Sequence, residues 1–148
     1  MDANLRELYQ EVILDHNKQP RNYRVLEPAT HQADGHNPLC GDRVRVFLRV
    51  EDGVIQDIAF QGQGCAISTA SASLMTTALK GKRLEEAEAL FGRFHDMVTG
   101  NSEMPADMGK LAVLTGVRDF PSRVKCATLA WHAMQAALHN QDEPVVTE

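Results

Sequence analysis

Three cysteines and one aspartate are the residues of this chain best suited to chemistry. Cys40 lies in Asn37-Pro38-Leu39-Cys40-Gly41-Asp42, Cys65 follows Gly62-Gln63-Gly64, and Cys126 follows Arg123-Val124-Lys125. Each is expected where the chain changes direction, whereas cysteines serving only as small apolar residues sit more naturally inside apolar stripes. Three cysteines cannot all pair within one chain, and reducing compartments disfavour structural disulfides. Metal ligation and reactive thiol chemistry are therefore favoured, with plain buried thiols as the alternative.

Asp42 extends the set. In extended chain, residues two apart share a face, so Cys40 and Asp42 can reach one ion while Gly41 keeps the backbone slim. The simpler role for Asp42 is to cap a turn. Three thiolates and a carboxylate would complete a tetrahedral shell for Zn²⁺. Helix starts at Cys65 and Cys126 are expected to lower both thiol pKa values through the helix dipole. Such a shell carries a net charge of about −2, which Arg123 and Lys125 beside Cys126 can offset, or they can meet an acidic partner. Solvated first-turn residues are their plainer reading. Of the histidines, His36 precedes Cys40 by four positions and reads as a solvated loop residue. His132 lies about 240° around a helix from Cys126 and should not share its face. His16, His31, His95 and His139 show no ligand spacing.

The elements that must hold these residues follow from periodicity. Leu5, Leu8, Tyr9, Val12 and Ile13 predict an amphipathic helix over residues 5–17, stopped by Pro20. A loop is expected over 28–41. Val44, Val46, Leu48 and Val50 then alternate with Arg43, Arg45, Phe47 and Arg49, as in a strand with one buried face. Glu51-Asp52-Gly53 turns the chain into a second strand over 54–60. From Cys65 a run of small residues predicts a closely packed helix whose Ser and Thr content demands tertiary support. Gly81 ends it. Further helices are expected over 84–94 and 106–114, the latter stopped by Gly116. A last helix, capped by Ser122, should run to about His139. The segment 95–106 is left open, and the tail 141–148 is expected to be mobile. Strands early and helices late predict an α+β domain over 1–140, a small antiparallel β-sheet covered by helices.

Composition sets outer bounds. The chain has 148 residues, 43% hydrophobic and 24% charged, which suits one ordinary globular domain. A net charge of −5 argues against general nucleic-acid binding. The first residues lack a basic lead and an apolar run, and no stretch approaches the ~20 apolar residues of a membrane span, so a cytoplasmic location is expected.

Four ordered segments carry a family resemblance. Leu8-Tyr9-Gln10-Glu11-Val12-Ile13-Leu14-Asp15-His16 with Pro20-Arg21-Asn22 resembles the N-terminal signature of the IscU/NifU-type iron–sulfur cluster assembly family. The segments around Cys40, Cys65 and Cys126 match its three cysteine motifs in order. The chain resembles the SufU branch in particular: Lys125 stands where cluster scaffolds usually have His, 119–125 lacks their Leu-Pro-Pro-Val-Lys stretch, and the span from Cys65 to Cys126 is longer. That resemblance implies an IscU/SufU-like fold and a zinc-dependent sulfur acceptor, or sulfurtransferase, for a pyridoxal-phosphate cysteine desulfurase. It implies Cys40, Asp42, Cys65 and Cys126 as zinc ligands and Cys40 as persulfide carrier, with downstream iron–sulfur assembly proteins as further partners. A partner side chain taking the place of Cys40 on the metal would free its thiolate, since Cys40 sits on a loop while the other cysteines are anchored at helix starts. The alternative is a scaffold that builds a [2Fe–2S] cluster on the same residues, because thiolates serve both metals.

Overall fold

A computed structural model of the chain describes residues 3–100, 108–140 and 144–147. Its elements run α1 (Ala3–Lys18), β1 (His31–Asn37), β2 (Asp42–Glu51), β3 (Val54–Gln63), α2 (Ala66–Leu79), α3 (Leu84–Thr99), a 3₁₀ stretch (Gly109–Asp119), α4 (Pro121–Leu138) and β4 (Val145–Val146). The strands form one sheet in the order β3-β2-β1-β4. β1–β2 and β2–β3 are antiparallel, and β4 runs parallel to β1. The expected α+β class is observed, but the sheet is mixed rather than purely antiparallel.

The predicted hairpin is present and longer than its apolar alternation suggested. Val44, Val46 and Leu48 enter the main core with Ile58 and Phe60 of β3. Phe47 points to the opposite face, where it is covered with Leu26 and Ala59 in a small second cluster. A register shift between Arg49 and Val50 marks a bulge and leaves Val50 only half-buried.

Strand β1 corrects the expected loop over 28–41. His31-Gln32-Ala33-Asp34-Gly35-His36-Asn37 has weak strand propensity, yet Ala33, Gly35 and Asn37 alternate inward. These small residues let α4 come close: a Cβ on Gly35 would stand 3.1 Å from Leu129 Cδ1 and 3.5 Å from Ala133 Cβ. Tertiary packing therefore selects a strand that propensity conceals. The tail differs from expectation too, since Gly35 and His36 pair with Val145 and Val146. Thr147 N–H donates to the His36 carbonyl at 3.1 Å.

The helices lie mainly over one sheet face, α2 and α4 against the strands and α1 and α3 outside them. The polar residues of α2 obtain the tertiary support they need. Ser71 Oγ donates to the Ala127 carbonyl at 2.5 Å and accepts from Trp131 Nε1 at 3.2 Å. Ser73 Oγ bonds His16 Nδ1 at 2.7 Å and accepts the Arg21 N–H at 2.8 Å. Each buried hydroxyl is thus satisfied, which removes the desolvation cost of a Ser-rich helix.

Three helix boundaries depart from expectation. α3 continues past Phe94 to Thr99, and Gly100, at φ 78°, caps it in the left-handed conformation. The open segment 95–106 and the expected start of a helix at Ala106 otherwise fall outside the described residues. The following stretch is 3₁₀ and passes through Gly116 to Asp119. Finally, Phe120 rather than Ser122 caps α4, with Pro121 in the first turn where its missing N–H costs nothing.

Candidate metal centre

The turn between β1 and β2 carries Cys40. Asn37, buried at the end of β1, accepts the Leu39 N–H through Oδ1 at 3.0 Å and the Gly41 N–H through its carbonyl at 2.9 Å. Those two bonds close a tight turn that leaves Leu39 76% exposed and Cys40 at the surface. Gly41 has φ 72°, so the Cys40–Asp42 pairing is not that of extended chain. A Cβ at Gly41 would meet nothing within 4 Å, so glycine serves here for its left-handed backbone and not for slimness.

Asp42 opens β2 and is completely buried. Its Oδ1 accepts the Cys65 N–H at 3.0 Å, while Oδ2 lies 3.3 Å from Cys40 Sγ and 3.8 Å from Cys65 Sγ. Cys65 is the residue before α2, and its Sγ accepts the Ser68 N–H at 3.4 Å as a helix cap. Cys126 comes from α4 and is buried, with Sγ 3.4 Å from Cys40 Sγ. The ligand atoms of Cys40, Asp42 and Cys126 all lie within 4.8 Å of one another. Cys65 stands at the edge of that group, reaching it through Asp42.

Electrostatics revise one expectation. Cys126 is the sixth residue of α4, beyond the helix start, and its pKa is raised rather than lowered. Burial is the largest cause, followed by Asp42, Cys40 and Cys65. Burial also raises the Cys40 thiol, and the Asp42 charge raises it further. Without a cation the Cys40 and Cys126 thiols therefore hold their protons more tightly than an ordinary thiol.

Donor chemistry and spacing fit a soft or borderline metal. Sulfur donors about 2.3 Å from a tetrahedral Zn²⁺ stand about 3.8 Å apart, near the separations found here. Arg123 and Lys125 lie on the first turns of α4. The Arg123 guanidinium sits 4.7 Å above the Phe120 ring and is exposed, and neither residue forms an ion pair among the described residues. His36 belongs to β1 and is outside the ligand group.

Two contributors escaped the sequence argument. A Cβ on Gly64 would stand 2.5 Å from Asp42 Oδ1, so only glycine lets the chain pass this carboxylate. Asn37 builds the Cys40 turn. The Gly62-Gln63-Gly64 break and the Asn37-Pro38 pair were the available signals.

Fold and site together define a small α+β domain built around a cluster of thiols and one carboxylate. The chain belongs to the family of NifU-like N terminal domains, whose pattern matches residues 8–144. It is 43% identical over 142 residues to the zinc-dependent sulfurtransferase SufU of Bacillus subtilis, covering 95% of this chain and 96% of that protein. It is 44% identical over 138 residues to the iron–sulfur cluster assembly scaffold protein IscU of Streptococcus pyogenes, covering 92% and 86% respectively. The crystal structure of FiSufU from Fervidobacterium islandicum AW-1 superposes with a TM-score of 0.83 at 31% identity, covering 93% of this chain and 99% of that one.

Proposed function

We propose that this chain is a zinc-dependent sulfur acceptor working in iron–sulfur cluster assembly, with Cys40 as the residue that takes the sulfur. The supporting observation is the convergence of Cys40, Asp42 and Cys126, with Cys65 at the edge, beneath an exposed turn. The similarity to the Bacillus SufU supports the same reading. Cys40, Asp42, Cys65 and Cys126 would hold Zn²⁺, which supplies positive charge that keeps the thiols deprotonated.

Cys40 suits the transfer by position. It lies on a surface turn, whereas Cys126 is buried in α4 and Cys65 caps α2. Its thiolate attacks the outer sulfur of a cysteine persulfide on a desulfurase partner. The new S–S bond forms at Cys40, the partner's S–S bond breaks, and the partner's cysteine leaves as thiolate. Asp42 Oδ2, 3.3 Å from Cys40 Sγ, is placed to share the same ion with that thiolate. Passing the sulfur to downstream assembly proteins repeats the exchange in the other direction. Arg123 and Lys125 are assigned to partner contact. Among the described residues no helix is long and apolar enough to cross a membrane.

The second reading is a scaffold carrying a [2Fe–2S] cluster on the same residues, favoured by the 44% identity to the Streptococcus scaffold protein. Desulfurase turnover with and without this chain, with metal content measured in parallel, decides between them. A colourless protein with one zinc that stimulates turnover supports sulfur transfer. A brown protein from air-free purification that does not stimulate turnover supports the scaffold.

A further inference from the structure

The crossing of α3 and α4 holds a second group of metal-ligating side chains. His95 on α3 and His132 on α4 face one another with ring centroids 5.8 Å apart and planes at 75°. Phe91 closes one side, its ring 5.4 Å from that of His132. The neighbouring residues lock this crossing. Phe94 and Trp131 stack at 4.3 Å and 15°, both fully buried, and Trp131 is anchored to Ser71 Oγ at 3.2 Å. The two imidazoles are therefore held together by the core beneath them rather than by bonds of their own.

Their ring nitrogens have no hydrogen-bond partner among the described residues. Among the described residues, histidine ring hydrogen bonds belong to His16, His31 and His139. His95 and His132 are both part-exposed, so an ion can reach them from solvent. Burial and the His95 charge also lower the His132 pKa, which favours the neutral imidazole that metals require.

We infer that His95 and His132 form a two-imidazole site for a divalent transition ion of the nickel–copper–zinc group, separate from the cysteine centre. Spacing supports this directly. With metal–nitrogen bonds of about 2.0–2.1 Å, an ion lies about 3.2 Å from each ring centroid, so a tetrahedral angle puts the centroids about 5.2 Å apart. The observed 5.8 Å lies within about 0.6 Å of that separation, and rotation of the rings about their side-chain bonds is what brings one nitrogen of each toward the ion. Imidazole donors suit these ions, and the remaining positions would be filled by water. Along α4, His132 is six residues beyond Cys126, about 9 Å of rise and about 240° of rotation away. The two sites can therefore fill independently. A bound ion would staple α3 to α4.

The test titrates zinc-loaded protein with further Zn²⁺, and separately with Ni²⁺, by calorimetry and by melting temperature. The expected result is a second, weaker equivalent that raises the melting temperature. His95→Gln should weaken that step at least tenfold while leaving the first equivalent of zinc in place. His132→Gln should do the same, and the His95 variant keeps the test decisive if the His132 variant folds poorly. His139→Gln is the control, because His139 lies 3.3 Å from Glu88 and offers a competing surface pair. No second equivalent, a second step unchanged in His95→Gln, or a step removed instead by His139→Gln would each overturn the assignment.

Discussion

The sulfurs of Cys40 and Cys126 lie 3.4 Å apart although 86 positions separate them in the chain. One sits on a turn that Asn37 closes, the other on a helix that packs against β1 because Gly35 has no side chain. Their meeting thus depends on the sheet register and on the depth to which α4 sinks onto it.

Replacing Cys40 by alanine should leave the fold intact, since the residue is exposed and contributes no core packing. Stimulation of a cysteine desulfurase should be abolished, and zinc affinity should fall at least tenfold. Circular dichroism and a desulfurase assay on the same preparation check this. Undiminished stimulation refutes the role given to Cys40.

Gly64→Ala should damage the site without touching a thiol. The new Cβ would be 2.5 Å from Asp42 Oδ1, so the carboxylate must move and the Cys65 N–H loses its acceptor. Zinc affinity, read by competition with a coloured chelator, should drop at least tenfold.

Gly35→Val tests how closely α4 must approach β1. Overpacking against Leu129 and Ala133 should destabilise the domain by about 1–3 kcal/mol in urea unfolding. Gly53→Ala is an informative comparison, because a side chain there meets nothing within 4 Å and only the φ of 73° resists it.

Acid should weaken the metal-free domain in a defined order. Burial lowers the folded pKa of His16 and His132 below the ordinary 6.5. Between those folded values and 6.5 the unfolded chain binds more protons, so stability falls as pH drops through this window. Asp34 and Asp57 lie below their ordinary 3.8, and salt bridges from Arg45 and Arg24 contribute to this. Their share is present above that pH and is lost at still lower pH. Melting temperatures of chelator-treated protein should decline from pH 7 to 5, and His132→Gln should flatten that decline.

Arg123→Glu should weaken desulfurase binding at least tenfold while the melting temperature stays nearly constant. Arg123 is exposed, lies over the Phe120 ring and forms no ion pair among the described residues, so its charge is available to a partner. Surface plasmon resonance at two salt concentrations checks this, since the loss should shrink in high salt. Equal affinity for both proteins removes Arg123 from the interface.

Much of the candidate site, the grouping of Cys40, Asp42 and Cys126, was legible because its residues announce themselves by type. Cysteine next to glycine and aspartate at a turn is a chemical statement that survives ignorance of the fold. The β2–β3 hairpin was legible from alternation, and α2 from its run of small residues. β1 was not, because His31 to Asn37 owes its strand to small side chains under α4 rather than to any propensity of its own. The Cys126 environment was hidden for a related reason. Burial is the largest cause of its raised pKa, and that burial follows from the packing of α4 on the sheet, which the residues beside Cys126 do not announce. Gly64 illustrates a third limit, since close approach to Asp42 depends on a partner 22 residues upstream.

Both rims of the sheet are shielded by short pieces of backbone. Along β3, Arg24 N–H donates to the Phe60 carbonyl at 3.0 Å and Phe60 N–H to the Asn22 carbonyl at 3.1 Å, while Val54 bridges to Arg83. Along β1, the Val145–Val146 strand occupies part of the other rim. Open rims recruit foreign strands and seed aggregates, so these coverings keep a sheet of only four strands from templating its neighbours.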